Sequence, residues 1–590
     1  MAKRGIAVVF TLLGVALFIS LAGFVLLYFA FGREPSVPSN ATLTLAIGGD
    51  LTEMAPTELV SFVSGARAPT VRAIVENLHK AKVDRRVSAV LIKSTGLTTP
   101  FWAKLQEIRD AITDFRTSGK PVYAYLEYGG DRDYYVASAA DKVFLMPSSP
   151  LDLAGIATYE VFLRGAFDKF GVYPDLHHIG DYKTAVNTFT EHGFTATHKE
   201  MDESLNRDLL AHVVQGIAEG RKKPEAEIRR LIDEGPFLPE NAVKAGLIDE
   251  VAYEDQVVDK LHEARPGSTR EIDANEYGRV SLTSLGLNRG PRIAVIYAAG
   301  EIAGGRGGYD PLNGPAMGSD TLIEYIRKAR KDASIRAIVL RVDSPGGSAS
   351  ASDAIWRELM LARRERADRP IVASMSDLAA SGGYYIAMPA QVIVAQPSTL
   401  TGSIGIFGGK FVTGGLFEKL GARIDSTSIG KNAEMNSPAR PYNAEEVKKV
   451  DEQLRAFYDD FVRKVAESRG TTPEKIQQIA QGRVWTGQQA KENGLVDALG
   501  GLDRAVAIAK ERAKIPADQE VELVTYPAPK SLYELISEQM SRSDASAAVN
   551  TWLADNLSAG ELETLRAVRG PALMFRRGEP LALMPARFLR

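Results

Sequence analysis

The 590-residue chain contains no cysteine, and that absence excludes disulfides, thiolate nucleophiles and cysteine-ligated metals together. Histidine is nearly as scarce: the seven copies are His79, His177, His178, His192, His198, His212 and His262, so none lies beyond residue 262. There is no basic surplus either. Lys and Arg total 71 against 74 Asp and Glu, a net charge of -3, and nucleic acid is therefore not an expected partner. No low-complexity tract points to extensive disorder, and with 45% hydrophobic residues the chain can bury sizeable cores. Beyond the first 33 residues no apolar run approaches the ~18 positions needed to cross a bilayer.

One such run does open the chain. Ile6 to Phe31 is 26 positions without a charge, longer as a helix than a bilayer core of ~30 Å and longer than the ~7–15 apolar residues of a cleaved signal peptide. It is expected to be a retained transmembrane anchor over residues 1–33. Lys3 and Arg4 precede it, whereas Arg33 and Glu34 cancel behind it. The positive side stays cytoplasmic, so the bulk of the chain is expected in the periplasm of a Gram-negative cell. Residues 34–41 read as a linker.

A diverged internal repeat organises the rest. Asp133-Tyr-Tyr-Val-Ala-Ser138 resembles Gly383-Tyr-Tyr-Ile-Ala-Met388, and Pro147-Ser-Ser-Pro-Leu-Asp-Leu-Ala-Gly-Ile156 resembles Pro397-Ser-Thr-Leu-Thr-Gly-Ser-Ile-Gly-Ile406, both at an offset of 250. The repeats also end alike, in Ala-Gly-Leu-Ile-Asp249 and Asn-Gly-Leu-Val-Asp497. Short β-branched runs (Leu43 to Ile47, Val87 to Ile92, Ile293 to Tyr297, Ile335 to Leu340) alternate with amphipathic stretches such as Ser352 to Arg364, which predicts α/β repeats with largely parallel strands. The first repeat is expected over 42–288 and the second over 289–525. Residues 526–590 form an extension with an expected helix over 548–568 and no readable role.

Two segments of the second repeat carry candidate chemistry. Ile371-Val-Ala-Ser-Met-Ser376 followed by Asp377-Leu-Ala-Ala-Ser-Gly-Gly-Tyr-Tyr-Ile-Ala387 reads as strand, tight turn and helix. Ser381 opens that helix, as a nucleophile or simply as an N-cap. Arg341-Val-Asp-Ser-Pro-Gly-Gly-Ser348 is a strand end running into adjacent glycines, whose backbone N–H groups could hold an oxyanion. Gly346 and Gly347 are the candidates, joined by Gly382. Ser344 and Ser348 read as turn residues, and Tyr384 and Tyr385 as packing residues; Asp343 and Asp377 are placed to orient the loops.

A nucleophilic serine needs a base, and no histidine lies in the half that carries Ser381. His177 and His178 sit on a strand-like stretch that suits a structural role. The alternative is a lysine whose pKa is lowered by burial. At the offset of 250, Gly180-Asp-Tyr-Lys-Thr-Ala185 lies opposite Gly430-Lys-Asn-Ala-Glu-Met435, so Lys183 faces Ala433, while Ser381 faces Asp131. Each repeat keeps one half of a Ser-Lys pair. Lys431 is two residues out of register and ranks well below Lys183. Ser94-Thr-Gly-Leu-Thr-Thr99 stands in the first repeat near the place of Pro345-Gly-Gly, so only the second repeat is expected to hold a complete oxyanion hole.

Together, Ala379-Ala-Ser-Gly-Gly-Tyr-Tyr-Ile-Ala387, Asp343-Ser-Pro-Gly-Gly-Ser348 and Gly180-Asp-Tyr-Lys-Thr-Ala-Val186 resemble the long, two-repeat form of bacterial signal peptide peptidase A, of peptidase family S49. The resemblance implies tandem Clp-protease/crotonase-like domains and Ser381 as nucleophile with Lys183 as base, without metal or cofactor. It also implies a homotetramer in the inner membrane that degrades hydrophobic signal-peptide remnants. Whether the pair forms within one chain or between neighbours is left open by the sequence. A crotonase-type acyl-CoA enzyme and an inactive membrane scaffold are the rival classes.

Overall fold

The β-branched runs of the first repeat pair side by side into a six-stranded sheet. Its order is Glu271–Asp273, Ala41–Gly49, Val87–Leu97, Val122–Leu126, Lys142–Leu145, Glu250–Val251, every neighbour parallel. In the computed structural model the described residues are 34–53, 70–264, 270–310, 314–528, 580–585 and 588–589, with the single positions Gly14, Phe18 and Gly23. The apolar run over 6–31, apart from those three positions, and the helix expected over 548–568 lie outside them. Among the described residues no helix is long and apolar enough to cross a membrane.

Strands buried on both faces explain why the runs are nearly continuous rather than alternating. Val90 and Ile92 point into one core with Leu78, Ile108 and Val214, whereas Ala89 and Leu91 point into a second with Val257 and Leu261. The second repeat builds the same layers. Its eight-stranded sheet contains Arg292–Ala299, Ile335–Ser344, Ile371–Ala380 and Val392–Ala395 in parallel, with Glu522–Tyr526 at one edge. Ile296, Leu340 and Met375 face one core; Val295, Val339 and Val372 face the other.

The duplication is visible in individual hydrogen bonds. Tyr134 donates to Leu247 O at 2.6 Å, and Tyr384 to Leu495 O at 2.9 Å. Asp249 accepts from Val143 N–H at 2.8 Å, and Asp497 from Ile393 N–H at 2.7 Å. The Leu-Ile-Asp and Leu-Val-Asp endings thus close equivalent corners.

One helix extends past its sequence expectation. The helix expected from Ser352 begins earlier, spanning Ala349–Glu365, because Ser348 Oγ accepts from Ala351 N–H and caps it. The helix Ala444–Arg469 is stopped at its ends by an Asn443/Glu446 capping box and by left-handed Gly470.

A third, seven-stranded sheet contains strands from both repeats. Tyr173–Ile179 runs antiparallel to Ile406–Val412 through seven residue pairs, from Tyr173 opposite Val412 to Ile179 opposite Ile406. This ladder delivers Lys183, just beyond Ile179, to the second repeat. Buried charge joins the repeats as well. Arg341 on Ile335–Ser344 donates to Glu53 (2.8 and 3.0 Å) and Glu107 (2.7 Å) of the first repeat, and to Ser374 Oγ (3.0 Å). Although burial opposes its charge, the two carboxylates hold the guanidinium pKa above the ordinary range.

Candidate active site

No tight turn precedes Ser381. The strand Ile371–Ala380 continues up to it: its pairing with Ile335–Ser344 slips between Met375 and Ala379, and Leu378, Ala379 and Ala380 carry the ladder on against Leu400–Gly402. The change of direction is concentrated in Ser381 itself, at φ 56° and ψ -112°. Such a conformation costs an L-residue about 1–3 kcal/mol and persists only where neighbours over-determine it. They do: Ser381 N–H donates to Gly402 O (2.8 Å), and Ser381 O accepts Tyr385 N–H (2.9 Å), opening the helix Gly382–Ala387. The simple capping role fails, since the Ser381 side chain accepts no cap hydrogen bond.

Its Oγ instead accepts from Lys183 Nζ at 2.8 Å. The same ammonium or amine head donates to Ser403 O (3.1 Å) and Ser403 Oγ (3.0 Å). Both residues belong to one chain, so the structure brings the two sequence candidates together intramolecularly. Ser381 and Lys183 are almost wholly buried, at 0% and 1% exposure. Among the described residues no carboxylate compensates, and burial pushes the Lys183 pKa well below that of an ordinary lysine.

Lys183 is gripped by backbone. Lys183 N–H donates to Gly180 O (3.1 Å), and Tyr182 N–H donates to Gln481 O (2.8 Å). Gly482 then passes so close that a Cβ on it would lie 2.5 Å from Lys183 Cα.

Gly346 and Gly382 lie against each other: a Cβ on Gly346 would lie 2.7 Å from Gly382 N, and one on Gly382 would lie 3.1 Å from Gly346 Cα, whereas a Cβ on Gly347 would meet Ile302 O at 2.1 Å. The Gly346 N–H itself turns to Ser344 Oγ (3.2 Å). Ser344 is thus a buried loop-holding residue. Asp343 and Asp377 are tied to Lys104 of the first repeat: Lys104 Nζ lies 2.8 Å from Asp343, and Lys104 N–H donates to Asp377 at 2.9 Å. Asp343 also accepts Leu378 N–H (3.1 Å). Burial, and then Asp343, push the Asp377 pKa up to about 6, while Lys104 works against them.

The other candidates fall away from the pair. Lys431 is a surface residue paired with Glu445 at 2.5 Å. His177 lies between Asp175 (3.4 Å) and Asp451 (3.3 Å), and His178 Nδ1 lies 3.0 Å from Gly180 O. In the first repeat, N–H groups of Gly96 and Leu97 donate to Asp133 at 3.2 and 3.1 Å, and Ser94 also bonds it. An internal carboxylate therefore fills the place where an oxyanion would bind. Among the described residues, Glu160, His198 and Asp202 have ligand atoms within 4.8 Å of one another; this potential metal cluster shares no residue with the Ser381 site.

Sequence reasoning missed Ser403 and Lys104. Ser403 had a signal: at the offset of 250 it faces Leu153, a polar-for-apolar exchange like that of Lys183 opposite Ala433. Lys104 had none, because its partners become neighbours only when the repeats pack.

A buried serine hydrogen-bonded to a desolvated lysine beside backbone glycines is an arrangement suited to a serine hydrolase. Comparison with known proteins gives the same class. The family model described as peptidase family S49 matches residues 114–266 and 363–516, once in each repeat. A chloroplastic serine protease SPPA of Arabidopsis thaliana is 36% identical over 511 residues, covering 85% of this chain and 73% of that one. Protease 4 of Salmonella typhi is 35% identical over 482 residues, covering 80% and 76%. A putative signal peptide peptidase SppA of Enterococcus faecium is 32% identical over 262 residues, covering 42% of this chain and 75% of that one. The chain belongs to peptidase family S49 and is a serine protease.

Proposed function

We propose that this chain is a membrane-anchored endopeptidase in which Ser381 is the nucleophile and Lys183 its general base. The observation that carries the reading is the 2.8 Å contact of Lys183 Nζ with Ser381 Oγ in a fully buried setting. Neutral Lys183 takes the hydroxyl proton as Oγ attacks a peptide carbonyl. N–H groups of Gly347 and Gly382 hold the oxyanion, with Gly346, whose N–H faces Ser344, shaping the turn between them. Lys183 returns the proton to the leaving amine, and a water activated by the same amine hydrolyses the ester. No metal or cofactor enters these steps.

Hydrophobic signal-peptide remnants are the proposed substrates, in keeping with the name of the Enterococcus relative. The apolar run over residues 6–31 would anchor the protein in the inner membrane, with Clp-protease/crotonase-like catalytic repeats at the periplasmic face and a homotetramer as the assembly. The proposed repeats span 42–288 and 289–525; a sheet strand ending at Asp273 and another starting at Arg292 support the boundary between them. The test is hydrolysis of an apolar peptide by the purified protein and by Ser381→Ala and Lys183→Met variants. Both variants are expected to lose turnover while remaining folded; an active Lys183→Met protein sinks the assignment of the base.

A further inference from the structure

The helix Ala196–Arg221 opens with side chains that the Ser381 site does not use. His198 and Asp202 stand one turn apart on it, at the spacing that brings two side chains onto the same face. Glu160, just past the short strand Thr158–Tyr159, meets them from outside the helix. All three side chains are withdrawn from solvent, with exposures of 1% for Glu160, 0% for His198 and 7% for Asp202. One ligand atom from each falls within 4.8 Å of the others.

His198 Nε2 faces this cluster. It lies 3.0 Å from a Glu160 carboxylate oxygen and 3.9 Å from an Asp202 oxygen, yet it makes no hydrogen bond to any described residue. The Glu160 oxygen is near enough but off the axis of the ring nitrogen, and the Asp202 oxygen is beyond hydrogen-bond reach. A buried nitrogen flanked by two carboxylates and bonded to neither is placed as one of three donors around a common centre. Donors at ~2.0–2.1 Å from a tetrahedral zinc ion stand about 3.3 Å apart. The observed 3.0 and 3.9 Å lie on either side of that separation.

The far side of the imidazole is held as a metal-bound histidine requires. Nδ1 lies 3.4 Å from the Asn187 amide nitrogen, and a half-turn of that amide puts its oxygen in the same place. Nδ1 then keeps the ring proton, and Nε2 turns its lone pair toward the carboxylates. Phe162 and Phe194 pack edge-on against the ring, at centroid distances of 6.1 and 4.9 Å, and lower the local dielectric in which a cation and two carboxylates would attract.

We propose that Glu160, His198 and Asp202 bind a first-row divalent cation, zinc in preference to manganese. One imidazole nitrogen with two carboxylate oxygens is a donor set that suits zinc, and zinc ranks above manganese for a given set of nitrogen and oxygen donors. The site stands apart from Ser381 and Lys183, and the cation takes no step in acyl transfer. Its effect is on the segment that carries the base. Thr197 Oγ, next to His198, donates to Asp181 O (3.1 Å), and Asn187, against His198 Nδ1, follows shortly after Lys183. Leu163 N–H donates to Thr188 O (2.6 Å), which ties the Glu160 segment to the same stretch. A cation joining Glu160 to the helix therefore fixes the first helical turn, the Glu160 segment and the two flanks of Lys183 to one another.

The experiment is calorimetric titration of zinc into the full chain in detergent, stripped with EDTA and desalted, with bound metal counted by atomic emission and thermal unfolding followed with and without zinc. Wild type is expected to take up one zinc ion per chain and to unfold at a higher temperature once loaded. Glu160→Gln, His198→Gln and Asp202→Asn nearly preserve side-chain volume, and each should bind zinc at least about 10-fold more weakly; thermal unfolding in EDTA checks that they are folded. His177→Gln, which removes a histidine lying between Asp175 and Asp451, should bind as wild type does. A wild-type chain that takes up no zinc, or whose Tm zinc leaves unchanged, overturns the site whatever the variants do. Binding that survives all three substitutions, or is lost in His177→Gln, places the ion elsewhere and overturns it as well. Manganese bound more tightly than zinc overturns the choice of ion.

Discussion

Replacing Gly482 by Ala tests whether the position of Lys183 is set by backbone contact. Gly482 has φ +78°, and an added Cβ would sit 2.5 Å from Lys183 Cα and N, about 1 Å short of ordinary contact. The Gly482 side of the contact is tied down, since its N–H donates to Ile404 O at 2.8 Å. Lys183 must then yield, and its Nζ moves against Ser381 Oγ. A displacement of about 1 Å at a reacting group can cost on the order of 100-fold in rate, and the left-handed backbone adds about 1–2 kcal/mol of instability for any non-glycine residue. Gly494→Ala is the matched control, because Gly494 has φ +77° with no atom within 4 Å of its added Cβ. With an apolar peptide as substrate and thermal unfolding as the stability readout, both variants should lose similar stability. Only Gly482→Ala should lose kcat, by about 100-fold. Rates within about threefold of each other, well under that loss, would refute positioning by this contact.

Ser403→Ala removes one of the two Ser403 acceptors of Lys183 Nζ and should lower kcat about tenfold, the equivalent of ~1.4 kcal/mol, with KM little changed. Arg341→Met leaves the buried carboxylates of Glu53 and Glu107 unpaired and should cost about 3–5 kcal/mol in denaturant unfolding, with much of it recovered when both glutamates are also changed to Gln. Because burial lowers the folded-state pKa of Lys183, kcat/KM should rise with pH through that lowered value and level off before an ordinary lysine would titrate; a rise centred at 10.5 would contradict this. The same depression means that the unfolded chain binds more protons between the folded pKa and 10.5, so this group makes stability rise with pH across that window. Lys183→Met should therefore have a higher Tm than wild type at neutral pH, with the gap closing toward pH 10.5.

Much of the fold is legible because the buried parallel strands are short β-branched runs and the duplication repeats them with their closing Asp residues, Asp249 and Asp497. The Ser381–Lys183 pair is legible for a different reason: in the aligned repeats Lys183 stands opposite Ala433 and Ser381 opposite Asp131, so each repeat holds the half of the pair that the other lacks. What stays hidden depends on packing between segments distant in sequence. Lys104 meets Asp343 and Asp377, and Arg341 meets Glu53 and Glu107, across more than 200 positions, with no periodicity to announce them. The continuation of the strand up to Ser381 is hidden too, since Leu378-Ala-Ala380 has a composition equally suited to a turn and pairs with Leu400–Gly402 only in the folded sheet. Leu581–Leu583 is only three residues long and becomes a strand because two edges await it.

The most direct measurement is mass spectrometry of the protein quenched during reaction with an activated apolar acyl ester. Wild type should carry one acyl group, on Ser381, formed at a rate that falls by orders of magnitude in Lys183→Met. An adduct on another residue, or unchanged acylation of Ser381 without Lys183, would contradict a Ser-Lys site assembled from the two repeats.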